Sequence, residues 1–389
     1  MTALLNLFYL YDPWFFHVIR MAFVAGGLAS VYLAYKLYKK QLPQGVIIPW
    51  DSLIAVIGLI VVSGIPLLLH GSRDFSVIQM YIKLLVLFLL GVVVYNVFYN
   101  YEQGKWQLVR DLKLGIIIQA VVGFLALCGV AFMIDFDLST NVILPRFYGS
   151  EQEYRLYNLT SSAFFQLSAF YLMLMHFLLA YNGKNGGIPS YYIFLILFIG
   201  VISGRTFFMF SALSILIYFK WRYVPALVMF AAIVFFLARY YPDHPYVAHA
   251  LEIVINIING NDSLSSSTDT LMKKHLFMPT LEQFIWGEGY YFTPDHHYYG
   301  GTDSGFLRQI LYGGAVYSFI CFVFTAHFVR RIAVNWFAGS WKFTLSTLAI
   351  LTILNIKSDT YAFPGIMSVL IMFLSLFGTR GKNLILFKR

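Results

Sequence analysis

The chain has 389 residues, 59% of them hydrophobic and 12% charged, with a mean hydropathy of +0.72. Soluble domains carry about 25% charged residues, so this composition excludes a soluble enzyme or binding module and predicts an all-α, polytopic integral membrane protein. The formal charge of +9 forms no nucleic-acid patch, because Lys and Arg sit mostly in short loops between apolar runs, where they set topology.

The opening MTALLNLFYLYDPWFF lacks a basic region and a small-residue cleavage site, so no cleavable signal peptide is expected. Met1 to Leu10 leaves a twelfth, short or re-entrant segment open. A hydrocarbon core needs roughly 20 apolar residues per helix, and the runs that follow predict about eleven crossings, within a range of about ten to twelve. They are Trp14 to Tyr35, Val46 to Leu69, Val77 to Phe98, Leu112 to Ile134, Leu159 to Tyr181, Pro189 to Ser203, Thr206 to Phe219, Tyr223 to Ala238, Ser304 to Val329, Lys342 to Ile356 and Tyr361 to Phe377. Trp, Tyr and Phe collect where these runs meet polar stretches, as interfacial belts do. Cys128 and Cys321 both fall inside such runs, so no disulfide framework is implied. The chain thus divides into membrane helices over 1–238, one large loop over 239–303 and membrane helices over 304–389, forming a single membrane domain.

Lys and Arg in alternate short loops set the orientation. Lys36, Lys39 and Lys40, then Lys105, Arg110 and Lys113, then Lys184, Lys220 and Arg222, then Arg330, Arg331 and Lys342, and finally Arg380, Lys382, Lys388 and Arg389 are assigned to the cytoplasm. The N-terminus and the long loop then lie outside, in the periplasm of a Gram-negative cell, and the C-terminus lies inside.

On that outer side, several cations sit at the ends of spans. Arg20 and Lys83 can hold an anionic group or can snorkel to the interface. Arg205 follows a turn at Ser203-Gly204 and opens a helix, whose N-terminal N–H groups and partial positive charge suit phosphate. Its planar fork pairs with phosphate oxygens two at a time, and Arg308 is the matching cation after the long loop. An anionic group at the outer boundary with an apolar tail in the bilayer fits this set, and a polyprenyl pyrophosphate has both. The outer loop from Asp135 to Asn158 carries Arg146 and Arg155 among acids and tyrosines, a mixture that suits carbohydrate but also an ordinary solvated loop.

The long loop runs toward WGEGYYFTPDHHYYGGTDSGFLRQ. A connection of this length is more often functional than connective. Pro245 to Asn259 predicts one amphipathic helix, stopped at Asn259-Gly260 and able to lie on the membrane surface. Ser267 or Thr268 can cap a second helix through about His275, with Lys273 and Lys274 either solvated or facing an anionic head group. Asp295-His296-His297 lacks metal-ligand spacing, and no metal is expected.

Together these stretches resemble the O-antigen polymerases of the Wzy family, within the wider group that includes O-antigen ligases. SGRTFFMFSALSIL is similar to that family's Ser-Arg stretch opening a span. FIWGEG resembles its Gly-x-Gly after an apolar triplet, and TDSGFLRQILYGGAVYS resembles its polar pair, aromatic-Leu and Gly-Gly. Chain length, span number and the late outer loop match as well. Ligases have His-Asn where this chain has Asp303-Ser304, which favours a polymerase. The Arg often found before the Gly-x-Gly is missing, with Lys273 and Lys274 nearby instead.

The resemblance implies a GT-C-like helical bundle in the bacterial inner membrane that takes part in lipopolysaccharide biosynthesis. It would transfer a glycan from undecaprenyl pyrophosphate to a sugar hydroxyl of an incoming lipid-linked repeat unit, with a chain-length regulator as a possible partner protein. In that frame Arg205, Arg308, Lys83 and Arg20 would face the pyrophosphate, where negative charge develops. Asp303, His296 or His297 would receive the hydroxyl proton, although Asp303 can equally be the N-cap of the next helix. Arg146, Arg155, Tyr290 and Tyr291 would face the glycan. Neither a cofactor nor a nucleotide is required. A ligase remains the closest rival. A flippase is a more distant one, since transporters commonly show internal repeats and none is evident.

Overall fold

The computed structural model describes residues 2–15, 19–133, 158–162, 164–261, 265–378 and 383–388. The chain is predominantly helical, as a segment in lipid must be if it is to satisfy its own backbone N–H and C=O groups. Among the described residues, six helical segments are long and apolar enough to cross a membrane: Met21–Tyr38 (α2), Trp50–His70 (α3), Ser76–Phe98 (α4), Phe164–Asn185 (α6), Trp221–Tyr240 and Gly305–Phe337. Thr2–Tyr11 (α1), Tyr191–Ser203 (α7) and Arg205–Ile217 (α8) are shorter apolar helices. Each predicted span contains a helix, including Gly104–Leu127 (α5), Trp341–Lys357 (α15) and Ile366–Leu374 (α16).

Several boundaries differ from expectation, two of them in kind. The first span opens not as helix but as a two-stranded pair, with Trp14–Phe15 (β1) antiparallel to Ile19–Arg20 (β2), and α2 begins only at Met21. The span expected to end at Val329 continues to Phe337, so Arg330 and Arg331 lie within the helix rather than in a loop. Arg331 pairs there with Asp51 of α3, and Arg330 stacks 4.0 Å from the Trp341 ring.

The chain folds as two compact units. The first holds residues 1–34, 97–265 and 365–370. Its α6 is buried on nearly every side, which explains why its apolar residues run all round the helix rather than along one stripe. Two buried polar groups on α6 are paired: His176 Nδ1 lies 3.0 Å from Ser214 Oγ, and Asn182 donates to the Tyr223 hydroxyl at 2.7 Å. Val224–Tyr240 (α9) leads into two short helices, Pro245–Ala250 (α10) and Glu252–Asn259 (α11). The single helix expected here is interrupted at Leu251, whose side chain turns inward and is buried. Gly260 in the left-handed conformation ends α11 as expected.

The second unit holds residues 35–96, 266–364 and 371–389, so the sequence of the long loop is divided between the two. Val46–Pro49 (β3) pairs antiparallel with Asn383–Leu386 (β4), which follows α16 in the chain. In the loop, Ser266–Thr270 (α12) runs into a turn of π-helix over Leu271–His275, and Leu281–Trp286 (α13) follows. Gly305–Phe337 (α14) then packs against α3, α13 and α15.

Candidate functional site

The end of the long loop is seated on a break in α14. Gly313 and Gly314 leave the helical region there, and Gly314 adopts φ +75°. The break frees the carbonyls of Leu311 and Tyr312, which would otherwise bond four residues on. Glu288 N–H donates to Leu311 O at 2.7 Å, and Gly289 N–H donates to Tyr312 O at 2.9 Å. Gly287, at φ +73°, lies so close that an added Cβ would stand 2.6 Å from Gly313 N. The two glycine motifs of the sequence are therefore the two halves of one backbone contact. Gly287→Ala is expected to lower the apparent Tm through about 1–3 kcal/mol of backbone strain plus that overlap, read by thermal unfolding in detergent.

Asp74, in the loop between α3 and α4, fixes the next residues. Its Oδ2 accepts from Tyr291 N–H at 2.6 Å and Phe292 N–H at 2.8 Å. Phe292 bridges Tyr298 across a tight antiparallel turn. The chain bends at Tyr291: Tyr290 faces outward, stacked on Tyr299 with centroids 5.5 Å apart, while Tyr291 faces inward and is buried. The Glu288 carboxylate beside Tyr299 pushes that phenol up to about 12.

Buried Arg308, in the first turn of α14, is the centre of the inner face. Its Nε donates to Thr302 O at 3.0 Å, Nη1 to Asp359 Oδ2 at 2.7 Å and Nη2 to Asp303 Oδ1 at 3.1 Å. The guanidinium lies 3.3 Å from the Tyr298 ring centroid, a cation–π contact. Tyr291 donates its hydroxyl to the same Asp359 oxygen. Burial pushes both the Asp359 carboxyl and the Tyr291 phenol upward, with Arg308 opposing. Gly305 allows the helix to start against this loop: an added Cβ would lie 2.7 Å from Asp359 Cα.

Asp303 is the part of the cluster that reaches solvent, with its side chain 54% exposed. Ser304, not Asp303, occupies the N-cap position of α14, which corrects the capping alternative. The free side of the Asp303 carboxylate faces His275, with Oδ2 3.5 Å from Nε2. His275 Nδ1 lies 2.9 Å from Gly301 O, and Thr302 Oγ1 donates to His275 O at 2.6 Å, so the ring is held in place by backbone. With Nδ1–H bonded to a carbonyl, Nε2 is the nitrogen open to a proton. The pair can accept a proton from a neutral hydroxyl and share it. Lys273 and Lys274 are exposed on the same π-helical turn.

The other expected residues lie elsewhere. Tyr291 is not available to a sugar, because it is buried against Asp359. His296 and His297 occupy the exposed tip of the tight turn, where Thr293 bonds their backbone rather than their rings. Arg20 precedes α2 instead of lying inside a span, and it pairs with Asp12. Lys83 is on an exposed face of α4. Arg205 does open α8, but its guanidinium pairs with Glu252 of α11, which also accepts from Ser265 Oγ at 3.3 Å. An internal carboxylate thus stands where a phosphate was expected. Arg146 and Arg155 lie outside the described residues. Among the described residues there is no group of three or more His, Cys, Asp or Glu placed to hold a metal ion.

Nothing in the sequence marks His275, Tyr298 or Asp74 as parts of one cluster with Arg308. The one local signal for Asp359 is an acid between two apolar runs. No protein-family model matches the chain, and no curated protein matches its sequence.

Proposed function

We propose that this protein is a polysaccharide polymerase of the bacterial inner membrane, transferring a growing glycan from undecaprenyl pyrophosphate to a sugar hydroxyl of a lipid-linked repeat unit. The observation that carries the reading is the half-exposed Asp303 carboxylate, gripped by buried Arg308 and flanked by His275 in a chain rich in membrane helices. In the reaction the acceptor oxygen bonds to the anomeric carbon, and the carbon–phosphate oxygen bond breaks. The electron pair leaves with the pyrophosphate, and Asp303 takes the hydroxyl proton, with His275 beside it to share it.

Arg308 has a narrower role here than a phosphate clamp. Three of its N–H donors are used inside the fold, and two carboxylates meet one guanidinium, so the cluster attracts no further anion. Arg308 holds Asp303 in place, and the departing phosphate falls to exposed cations, Lys273 and Lys274 first. Arg205 is already engaged by Glu252 and is not among them. Tyr290 and Tyr299 offer stacked rings for a sugar face.

A long loop on the outside fits the pairings in the second unit. The β3–β4 contact joins residue 46 to residue 386, both assigned inside. Asp74 joins the α3–α4 loop to the long loop, both assigned outside. In the first unit, Gln107 donates to Thr2 Oγ1 at 2.8 Å, which sets the N-terminus beside the Lys105–Arg110 stretch assigned inside and counts against its being outside. Deleting the gene in its host and inspecting the lipopolysaccharide tests the function. A polymerase deletion leaves cores capped with single repeat units. Cores with no unit at all would mean ligation instead, and an unchanged ladder would remove the reading.

A further inference from the structure

The segment from Leu276 to Trp286 presents apolar side chains that the described chain leaves partly or largely open. Met278 is 92% exposed and Leu281 75%, and Phe277, Phe284, Ile285 and Trp286 are exposed as well. Leu281, Phe284 and Ile285 stand at i, i+3 and i+4 on α13 and so share one face, with Glu282 and Gln283 on the other. Patches of this kind on a monomer mark an interaction surface.

The place of the segment identifies the partner. His70 Nε2 lies 3.2 Å from Trp286 O, so the end of α13 is tied to the last residue of α3. An added Cβ on Gly289, three residues on, would stand 3.0 Å from Pro66 O, in the last turns of the same helix. The helix α3 is long and apolar enough to cross a membrane, and its final turn exposes Leu68 by 86% and Leu69 as well. Those leucines stand open at the end of α3, and α13, tied to that end, adds its own exposed apolar side chains beside them. Several polar groups at its ends are bonded within the fold, which lowers the cost of low-water surroundings. Thr280 and Gln283 form a reciprocal capping box, Gly287 N–H donates to Gln283 O at 2.9 Å, and Trp286 O faces His70.

We propose that residues 276–286 are seated in the lipid headgroup–acyl boundary, at the leaflet where α3 ends, as an interfacial anchor with Trp286 in the aromatic belt. Glu282 faces the water. Lipid contact here is independent of the reaction that Asp303 serves.

The test uses the full-length protein in phosphatidylcholine–phosphatidylglycerol nanodiscs with an apolar diazirine photolabel, followed by peptide mass spectrometry. Adducts on the 277–286 peptide at a yield comparable to the 61–69 peptide of α3 are expected. Nitroxides placed singly by Leu281→Cys and Glu282→Cys, in a Cys128→Ser background, provide the second measurement. Oxygen accessibility relative to a water-soluble nickel chelate is expected to be several-fold higher at position 281 than at 282. Label on α3 with none on 277–286, or equal water accessibility at both positions, overturns the proposal. Interchain cross-linking through Met278→Cys in place of lipid labelling would equally overturn it, since the cover would then be a second copy of the chain.

Discussion

Arg308→Ala is expected to destabilise the protein by about 3–5 kcal/mol, the range for removing one partner of a buried ion pair. The substitution leaves Asp359 buried at 1% exposure beside Tyr291, with its charge no longer balanced, and it frees Asp303 and the Tyr298 ring. The expected readout is a large fall in apparent Tm in detergent, or failure to accumulate in the membrane. Arg308→Lys retains the charge but not the fork that spans two carboxylates and a carbonyl, so it should recover only part. Adding Asp359→Asn to Arg308→Ala removes the orphaned charge and is expected to restore several degrees. If the single alanine variant melts with the wild type, the cluster contributes nothing and Arg308 is free for other work.

Asp303→Asn should behave in the opposite way, with little change in stability and a loss of activity. A positioned base contributes about 10²–10⁴-fold to a rate, and a half-exposed carboxylate leaves no buried charge behind when it is neutralised. Polymer formation from a lipid-linked repeat unit in proteoliposomes is expected to fall by that factor at an unchanged Tm. His275→Ala should lower the rate less, since it removes only the neighbour that shares the proton. His297→Ala should leave the rate alone, because its side chain is exposed at the tip of the turn, which is held through backbone hydrogen bonds. Full activity in the asparagine variant would move the base elsewhere.

These two residues show what could be read from the chain alone. The membrane helices were legible because a run of apolar residues in lipid has few options other than helix. The glycines of WGEG and YGG were legible as motifs, though not as partners, since their contact depends on a helix break that no periodicity reveals. Asp359 was legible only as an acid between two apolar runs, with nothing to give it a partner. Its partner Arg308 is 51 residues away, and a lone acid in a short loop looks like any other. The histidines at 296 and 297 stand out in the sequence by being adjacent, yet His275 is the one whose ring the backbone fixes beside a carboxylate. Tyr290 and Tyr291 look equivalent in the sequence, although a bend of the chain at Tyr291 leaves one outward and the other in the core. The hydrogen bonds that the Tyr291 and Phe292 N–H groups donate to Asp74, more than 200 residues back, leave no mark in the sequence.

The pairing of β3 with β4 has a consequence for how the molecule is made. Residues 46–49 are synthesised early, and their partners at 383–386 emerge only after α16. The edge of β3 therefore waits unpaired while every helix from α3 to α16 is translated and inserted, with its N–H and C=O groups exposed to any other strand. The clasp closes only on a chain that has been translated through α16. A product truncated after α15 would keep α3 and α14 but carry a permanently open strand at that end, a feature by which a quality-control protease can tell it from the finished protein.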